Sequence, residues 1–498
     1  QDLFSTVWMT VSEGKTATVT AINKGVYGII TPNRAVTEEC YKNLYKTNTM
    51  VRRPGVIGHR GNPSTAQENT LSGFNAAYSY GATAIETDFY RVADGVLMIM
   101  HDATIDRTTN GSGKTISFTS AQLKKYVVDY KSGIATQPIP SLEELLKSVK
   151  GDANKRLVLE IKHPNTDYVS AFINLLNKYD VMDQMVIIDF DKNNCNIAAM
   201  RKQLPGVPFG WLNYATIEDE RPMESVSAAL DTFQTNMTGC NPKYTGFGEI
   251  SIREFAYRGM TIWPWTLRDQ PGFDKLMIDG VGGITTDYSQ WASSYIEEIH
   301  VNSAGRVISK TYNEVYTDVT NKAEFVVIED TIGISWSNGK LNVPQNKKGG
   351  TASYFFRLKS TNPSGTTYYT VTNVVTIVDE CATKGHSYAS SITVQPGCLT
   401  QGERTYNCTG CGDNYTEVVA PLGHSHKPVV TAPTCTQQGY TTYKCDCGDS
   451  YVTDYTPAKG HSLVKYVCEV CDFVQDITIY FDNSIKAWKN VNAHYWNA

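Results

Sequence analysis

Between residues 54 and 292 short apolar runs alternate with stretches whose apolar residues recur at helical spacing. The runs fall at 55–58, 83–89, 96–100, 156–161, 185–190, 208–212, 260–266 and 281–285, and each reads as a strand. Helical spacing marks 119–126, 141–150, 167–180, 193–204 and 251–259. Two of these open with a capping box, Thr119 with Gln122 and Ser141 with Glu144. Strand–helix alternation sustained over about 240 residues predicts an α/β fold, a single (β/α)8 TIM barrel.

The flanks differ in character. Residues 1–53 form a lead expected to pack on the barrel, with strands at 16–22 and 25–31 and a helix at 36–46 capped by Thr37. Residues 299–379 are β-branched and aromatic, with turn signals at Asn338-Gly339 and Ser364-Gly365, and predict a small all-β, sandwich-like domain. Of the 12 cysteines only Cys40, Cys195 and Cys240 precede residue 380, so 381–475 is a Cys-rich tail too poor in apolar residues to hold itself by a core. The last stretch, 476–498, reads as the truncated start of a further β-domain. The chain opens at Gln1 without an initiator Met, as expected of a processed or excised segment.

Lys and Arg number 45 against 50 Asp and Glu, a formal charge of −5, which argues against a broad basic face for nucleic acid. The informative charges sit at strand ends. Glu86 and Asp88 are two apart and share one face of a strand; Glu160 and Lys162 repeat the spacing on another. Inward acids on apolar strands are costly unless they meet a cation, and three oxygen donors suit Ca²⁺ or Mg²⁺. His59 and Arg60 follow the first strand, and His101 and Asp102 follow another apolar run. Taken singly, these are an ordinary solvated face, an ion pair and loop histidines. Together, at the carboxyl ends of barrel strands, they form a constellation for phosphate ester chemistry. Two histidines serve as acid and base, Arg60 and Lys162 hold phosphate, and a cation offsets developing charge.

Residues 56–113 carry His59-Arg60-Gly61, Glu68-Asn69-Thr70, Glu86 with Asp88, Asp94-Gly95, His101-Asp102, and Arg107-Thr108-Thr109 through Gly113. Glu160-Ile161-Lys162, Trp265-Thr266 and Gly283 through Asp287 follow. This ordered set closely resembles the glycerophosphodiester phosphodiesterase family over about residues 52–292, with Gln67 standing where the family often has Pro. The resemblance implies His59 and His101 as the acid–base pair and Glu86, Asp88 and Glu160 as ligands of Ca²⁺ or Mg²⁺. It implies Arg60 and Lys162 as the phosphate clamp. Glu68 and Asn69 would position the His59 loop, or simply start a helix; Trp265 would wall the pocket or fill the barrel. The implied reaction is metal-dependent cleavage of a glycerophosphodiester to glycerol 3-phosphate and an alcohol. Substrates would be deacylated phospholipids or glycerol-phosphate polymers of cell walls. Two alternatives stand beside it: an inactive surface protein that binds glycans or adheres, and a phospholipase D-like lyase forming a cyclic phosphate.

In the tail, Gly385-His386, Gly423-His424 and Gly460-His461 recur at about 37 residues, interleaved with Cys pairs. The repeated His favours zinc over disulfides, with candidate sets Cys398, Cys408, Cys411, His424 and Cys435, Cys445, Cys447, His461; a first site could also draw on Cys381 and His386. These repeats resemble modules appended to secreted Gram-positive bacterial proteins, which implies a secreted or cell-surface setting and cell-wall or glycan contact. The final 23 residues faintly resemble the start of a starch-binding module.

Overall fold

The computed structural model describes residues 6–190, 195–213, 226–227, 230–231, 238–244, 248–344, 350–379, 388–398, 400–408, 414–446, 448–464 and 467–471. Seven parallel strands form the central sheet: β1 (Gly55–Gly58), β2 (Ala84–Arg91), β3 (Arg156–Ile161), β4 (Met185–Asp189), β5 (Phe209–Asn213), β6 (Gly239–Pro242) and β7 (Gly283–Thr286). The segment 261–267 completes the ring. Trp263 N donates to Cys240 O at 2.9 Å on one side, and Gly282 N donates to Ile262 O at 3.1 Å on the other. β7 pairs in turn with β1, Ile284 opposite Val56.

The strand period of two separates the barrel's two layers. Ile57, Ala84, Val158, Val186, Ile188, Leu212 and Trp263 pack together on the inner side. The alternate residues Ile85, Phe89, Leu157, Leu159, Ile161 and Ile187 face the helices and meet Leu142, Leu145, Leu146, Phe172 and Leu176. The helix Leu142–Val149 starts where the sequence says it must, with both halves of the Ser141–Glu144 capping box formed, and Thr119–Gln122 does the same for Ser120–Leu123.

Some expectations are corrected. Residues 16–22 are not a strand: Lys15–Asn23 is a helix, with Thr20 Oγ1 donating to Thr16 O at 2.8 Å. Burial of Val19 against Val326, Ile328, Phe355 and Val371 overrides the β-propensity of this run. The next helix is Arg34–Leu44, capped by Asn33 and not by Thr37. Leu97–Ile99 is no stave of the barrel; it turns back at Gly95 and runs antiparallel to β2, Ile99 opposite Phe89. β6 is a stave that no periodicity announces.

The lead packs its two helices largely on the all-β region, and Thr49–Met50 adds an edge strand to it beside Thr367–Val371. That region has a sheet built on Glu324–Asp330, Gly350–Thr361 and Thr367–Val371. A second sheet comprises Ile296–Val301, Val307–Thr311 and Tyr316–Asp318, with Ile299, Val307, Phe356 and Leu358 in the shared core.

The tail's sequence repeat is a structural one. Tyr388–Val394, Gly402–Cys408 and Asn414–Val419 form one three-stranded antiparallel sheet. In the separate unit Gly423–Ala498, His426–Thr431, Gly439–Cys445 and Ser450–Thr456 form another. This divides the cysteines of both zinc sets, while Cys435 keeps His461 within reach. Cys398 and Cys408 flank the strand Gly402–Cys408, and Cys435 and Cys445 flank Gly439–Cys445. The seven-residue strand that ends in the second Cys of each pair spans roughly 20 Å, too far for one ion. Cys381, His386, Cys411, Cys447 and 476–498 lie outside the described residues.

Phe172 is fully buried and stacks on Phe89 with ring centroids 5.1 Å apart. Phe172→Ala is expected to lower barrel stability by about 3–5 kcal/mol in urea unfolding; a loss below about 1 kcal/mol would contradict tight packing of this layer.

Candidate active site

Three carboxylates lie just above the barrel's inner apolar layer. β2 and β3 run parallel with Asp88 opposite Glu160, and Glu86 shares the inward face of Asp88. Glu86, Asp88 and Glu160 are 2%, 0% and 7% exposed, and one oxygen of each lies within 4.8 Å of the others. Lys162 Nζ pairs with Glu160 and stands 3.6 Å from Asp88 Oδ1; Arg60 Nε stands 3.7 Å from Asp88 Oδ2. Three acids against these two cations leave a net −1. Burial, then Asp88 and Glu160, pushes the Glu86 carboxyl well above its ordinary range, and burial with Asp88 pushes Glu160 up to about 8. Burial also opposes ionisation of Asp88, but Lys162 and Arg60 outweigh it and hold that group low.

The donor set fits a hard divalent cation. It is all oxygen, and Glu86 Oε1 and Asp88 Oδ1 are buried without a hydrogen-bond partner. Buried carboxylate oxygens left this way are costly unless a positive ligand meets them.

Each histidine is oriented by an aspartate. His59 Nδ1 lies 2.5 Å from Asp287 Oδ1, and its Nε2 lies 4.0 Å from Glu86 Oε2, so the far nitrogen faces the acids. Arg268 holds the other oxygen of Asp287 at 2.5 Å. His101 Nδ1 lies 2.6 Å from Asp102 Oδ1. Burial lowers both histidines from their ordinary range, while Asp287 opposes the fall at His59, and Asp88 and Asp102 oppose it at His101. In the hydrogen-bonding scheme this geometry requires, Nδ1–H donates to the carboxylate and Nε2 is left for chemistry.

A single ion-pair bridge ties the two histidine loops together. Glu68 accepts from Arg60 Nη1 at 3.1 Å and, at its two oxygens, from Arg107 Nη1 at 2.9 Å and Nη2 at 2.8 Å. Arg107 also donates to Asp102 from Nε at 2.5 Å and from Nη2 at 3.1 Å. Asn69 donates from its backbone N to Arg60 O at 2.9 Å and from Nδ2 to Asp88 Oδ2 at 3.0 Å. Thr70, the next residue, caps the helix Leu71–Ser79, so positioning and helix start share one segment. Gly61 has φ +87°, and a Cβ there would lie 2.6 Å from the Gly73 carbonyl carbon, which explains glycine after His59-Arg60. Trp265 is half-buried beside the site; its Nε1 donates to Asn241 O at 2.8 Å and its ring meets Phe190 edge-on at 5.2 Å.

Residues 59–290 match the model of the glycerophosphoryl diester phosphodiesterase family. Residues 59–290 are a domain of that family. The chain is similar to the glycerophosphodiester phosphodiesterase of Caldanaerobacter subterraneus subsp. tengcongensis, 28% identical over 237 residues that are 47% of this chain and 93% of the relative. It is similar to the glycerophosphodiester phosphodiesterase of Bacillus subtilis, 28% identical over 250 residues, 47% of this chain and 83% of the relative. A phosphodiesterase of Oleispira antarctica, solved in complex with the product sn-glycerol-3-phosphate, is 23% identical with a TM-score of 0.42, over 48% of this chain and 94% of its own.

Within the family domain, His59, Arg60, Glu68, Asn69, Glu86, Asp88, His101, Glu160, Lys162 and Trp265 lie at or beside this cluster, whereas Asp94 lies apart and accepts from Ser120. Sequence reasoning left Asp287, Asp102 and Arg107 as motif letters without roles. The signal for Asp102 was its adjacency to His101. Asp287 is 228 positions from His59 and becomes its partner only because β7 closes against β1.

Arg107→Met is expected to speed amide exchange at Ile105 and Thr109 by about tenfold or more, because charge-assisted hydrogen bonds of about 1.5–3 kcal/mol are removed. Unchanged exchange would show that the bridge does not hold the loop.

Proposed function

We infer that the family domain hydrolyses glycerophosphodiesters to glycerol 3-phosphate and an alcohol. The observation that carries this is the pair of aspartate-held histidines beside an all-oxygen acid cluster, with Arg60 and Lys162 at the same strand ends. One histidine, neutral at Nε2, takes the proton of a hydroxyl nucleophile, from water or from the substrate's own glycerol; on the second route the product of the first step is a cyclic glycerol phosphate, which a water activated in the same way then opens to glycerol 3-phosphate. As the new P–O bond forms, the bond to the head-group oxygen breaks, and the other histidine, protonated at Nε2, gives that oxygen its proton. Asp287 and Asp102 stabilise the imidazolium at each position. Arg60 and Lys162 attract the phosphate; both already face Asp88, so they also keep that acid charged. Glu86, Asp88 and Glu160 would hold a divalent cation, Ca²⁺ or Mg²⁺, which supplies positive charge for the developing phosphorane. Trp265 offers an apolar wall for the glycerol carbons.

The β-sheets that follow the barrel carry no comparable charged cluster among the described residues outside the tail's Cys and His groups. They suit a spacer or anchor in a secreted or surface protein, for which polymeric glycerol phosphate is a second substrate class.

The test is glycerol 3-phosphate release from a panel of glycerophosphodiesters with Ca²⁺, with Mg²⁺ and with chelator. Release that chelator abolishes is expected; no release from any diester by folded, cation-supplied protein would overturn the reading. His59→Ala and His101→Ala should each lower kcat by about 10²–10⁴-fold with the circular dichroism spectrum unchanged. Asp287→Asn should lower kcat with little change in KM, because it disturbs the His59 tautomer and leaves binding groups in place. Near-normal turnover in either histidine variant would remove that residue from proton transfer.

A further inference from the structure

The Cys and His repeats lie outside the family domain, and one group of them converges within a single unit. Cys435, His461 and Cys471 each present a ligand atom within 4.8 Å of the other two. His461 Nδ1 lies 3.4 Å from Cys471 Sγ, and Cys435 is 6% exposed. We propose that Cys435, His461 and Cys471 bind a zinc ion that ties one repeat to the Cys pair of the next.

The backbone explains the convergence. Thr434 N donates to Gln437 O at 2.9 Å, which turns the chain at Cys435 just before the strand Gly439–Cys445. That strand and Ser450–Thr456 run out and back, so residues after 456 return to the Cys435 end. Lys459 N donates to Thr434 O at 2.9 Å and sets His461 beside Cys435. The two-residue strands Leu463–Val464 and Val467–Cys468 then double back, and Glu469 N donates to Ser462 O at 3.0 Å, which brings Cys471 to His461.

Two sulfurs and an imidazole select zinc over the oxygen-seeking cations that suit the barrel acids. Zinc–sulfur bonds of about 2.3 Å place tetrahedral ligand atoms roughly 3.7 Å apart, so the observed spread needs only a contraction of about 1 Å. A Cys435–Cys471 disulfide is the competing chemistry, and it has no use for the ring nitrogen aimed at Cys471. The arrangement also explains the spacing within this unit: Cys435 and His461 meet Cys471, which follows the His, and not Cys445, which the strand carries to the far end.

Zinc content per chain, measured on the full protein purified with zinc and a mild reductant, tests this. His461→Ala and Cys471→Ser should each lose one zinc relative to the unaltered chain, while His461→Cys, one zinc ligand for another, should retain it. With Co²⁺ in place of zinc, the sulfur-to-cobalt absorption should fall in Cys471→Ser. Absence of zinc in the unaltered chain, unchanged zinc in His461→Ala, or a Cys435–Cys471 disulfide found by mass spectrometry would each overturn the proposal.

Discussion

Burying three carboxylates on two neighbouring strands is the constraint around which the barrel's mouth is arranged. A parallel register that sets Asp88 opposite Glu160, with Glu86 one inward position below, puts like charges within a few ångströms in a water-poor place. Such a cluster is unfavourable unless cations answer it. Arg60 and Lys162 answer part of it, and the upward shift of the Glu86 and Glu160 carboxyls, which disfavours their ionisation, records what they leave unanswered. The Glu86 and Asp88 oxygens without a hydrogen-bond partner are where a cation would be met. The same deficit is what a bound cation and a phosphate-bearing substrate can exploit.

The histidines depend on this cluster and are insulated from its geometry by their own carboxylates. Asp287 comes from the strand that closes the ring, and Asp102 from the loop after the Leu97–Ile99 hairpin, so the two dyads are mounted on different elements. Glu68 and Arg107 make those mounts one object. Without that bridge the His101 loop would rest mainly on backbone turns such as Ile105 N to Gly113 O and Thr115 N to Ala103 O.

Much of this was legible because it follows from short-range rules. Period-two spacing put Glu86 and Asp88 on one face, and side-chain capping located Ser141 and Thr119. What escaped has a common cause: the deciding contact is distant in sequence. Residues 16–22 have the β-branched look of a strand, yet they fold as a helix because Val19 is buried on the sheet that carries Phe355. β6 is Gly239-Cys240-Asn241-Pro242, a composition that reads as a turn; neighbouring strands impose its extended form, and Cys240 and Pro242 accept from Trp263 N and Trp265 N. The tail's ligands were grouped by closeness in sequence, whereas a seven-residue strand separates near neighbours and returns distant ones.

Glu86, Asp88 and Glu160 sit in an unfavourable cluster that a cation would relieve. The most direct measurement is the thermal unfolding of the family domain within the full chain, with and without added Ca²⁺ or Mg²⁺, in the unaltered protein and in Glu86→Gln. Cation is expected to raise the Tm of the unaltered protein, and Glu86→Gln to raise the cation-free Tm while abolishing the cation-dependent rise. An unaltered protein indifferent to cation, together with a Glu86→Gln variant that unfolds at lower temperature, would contradict it and make the acids a structural ion-pair network.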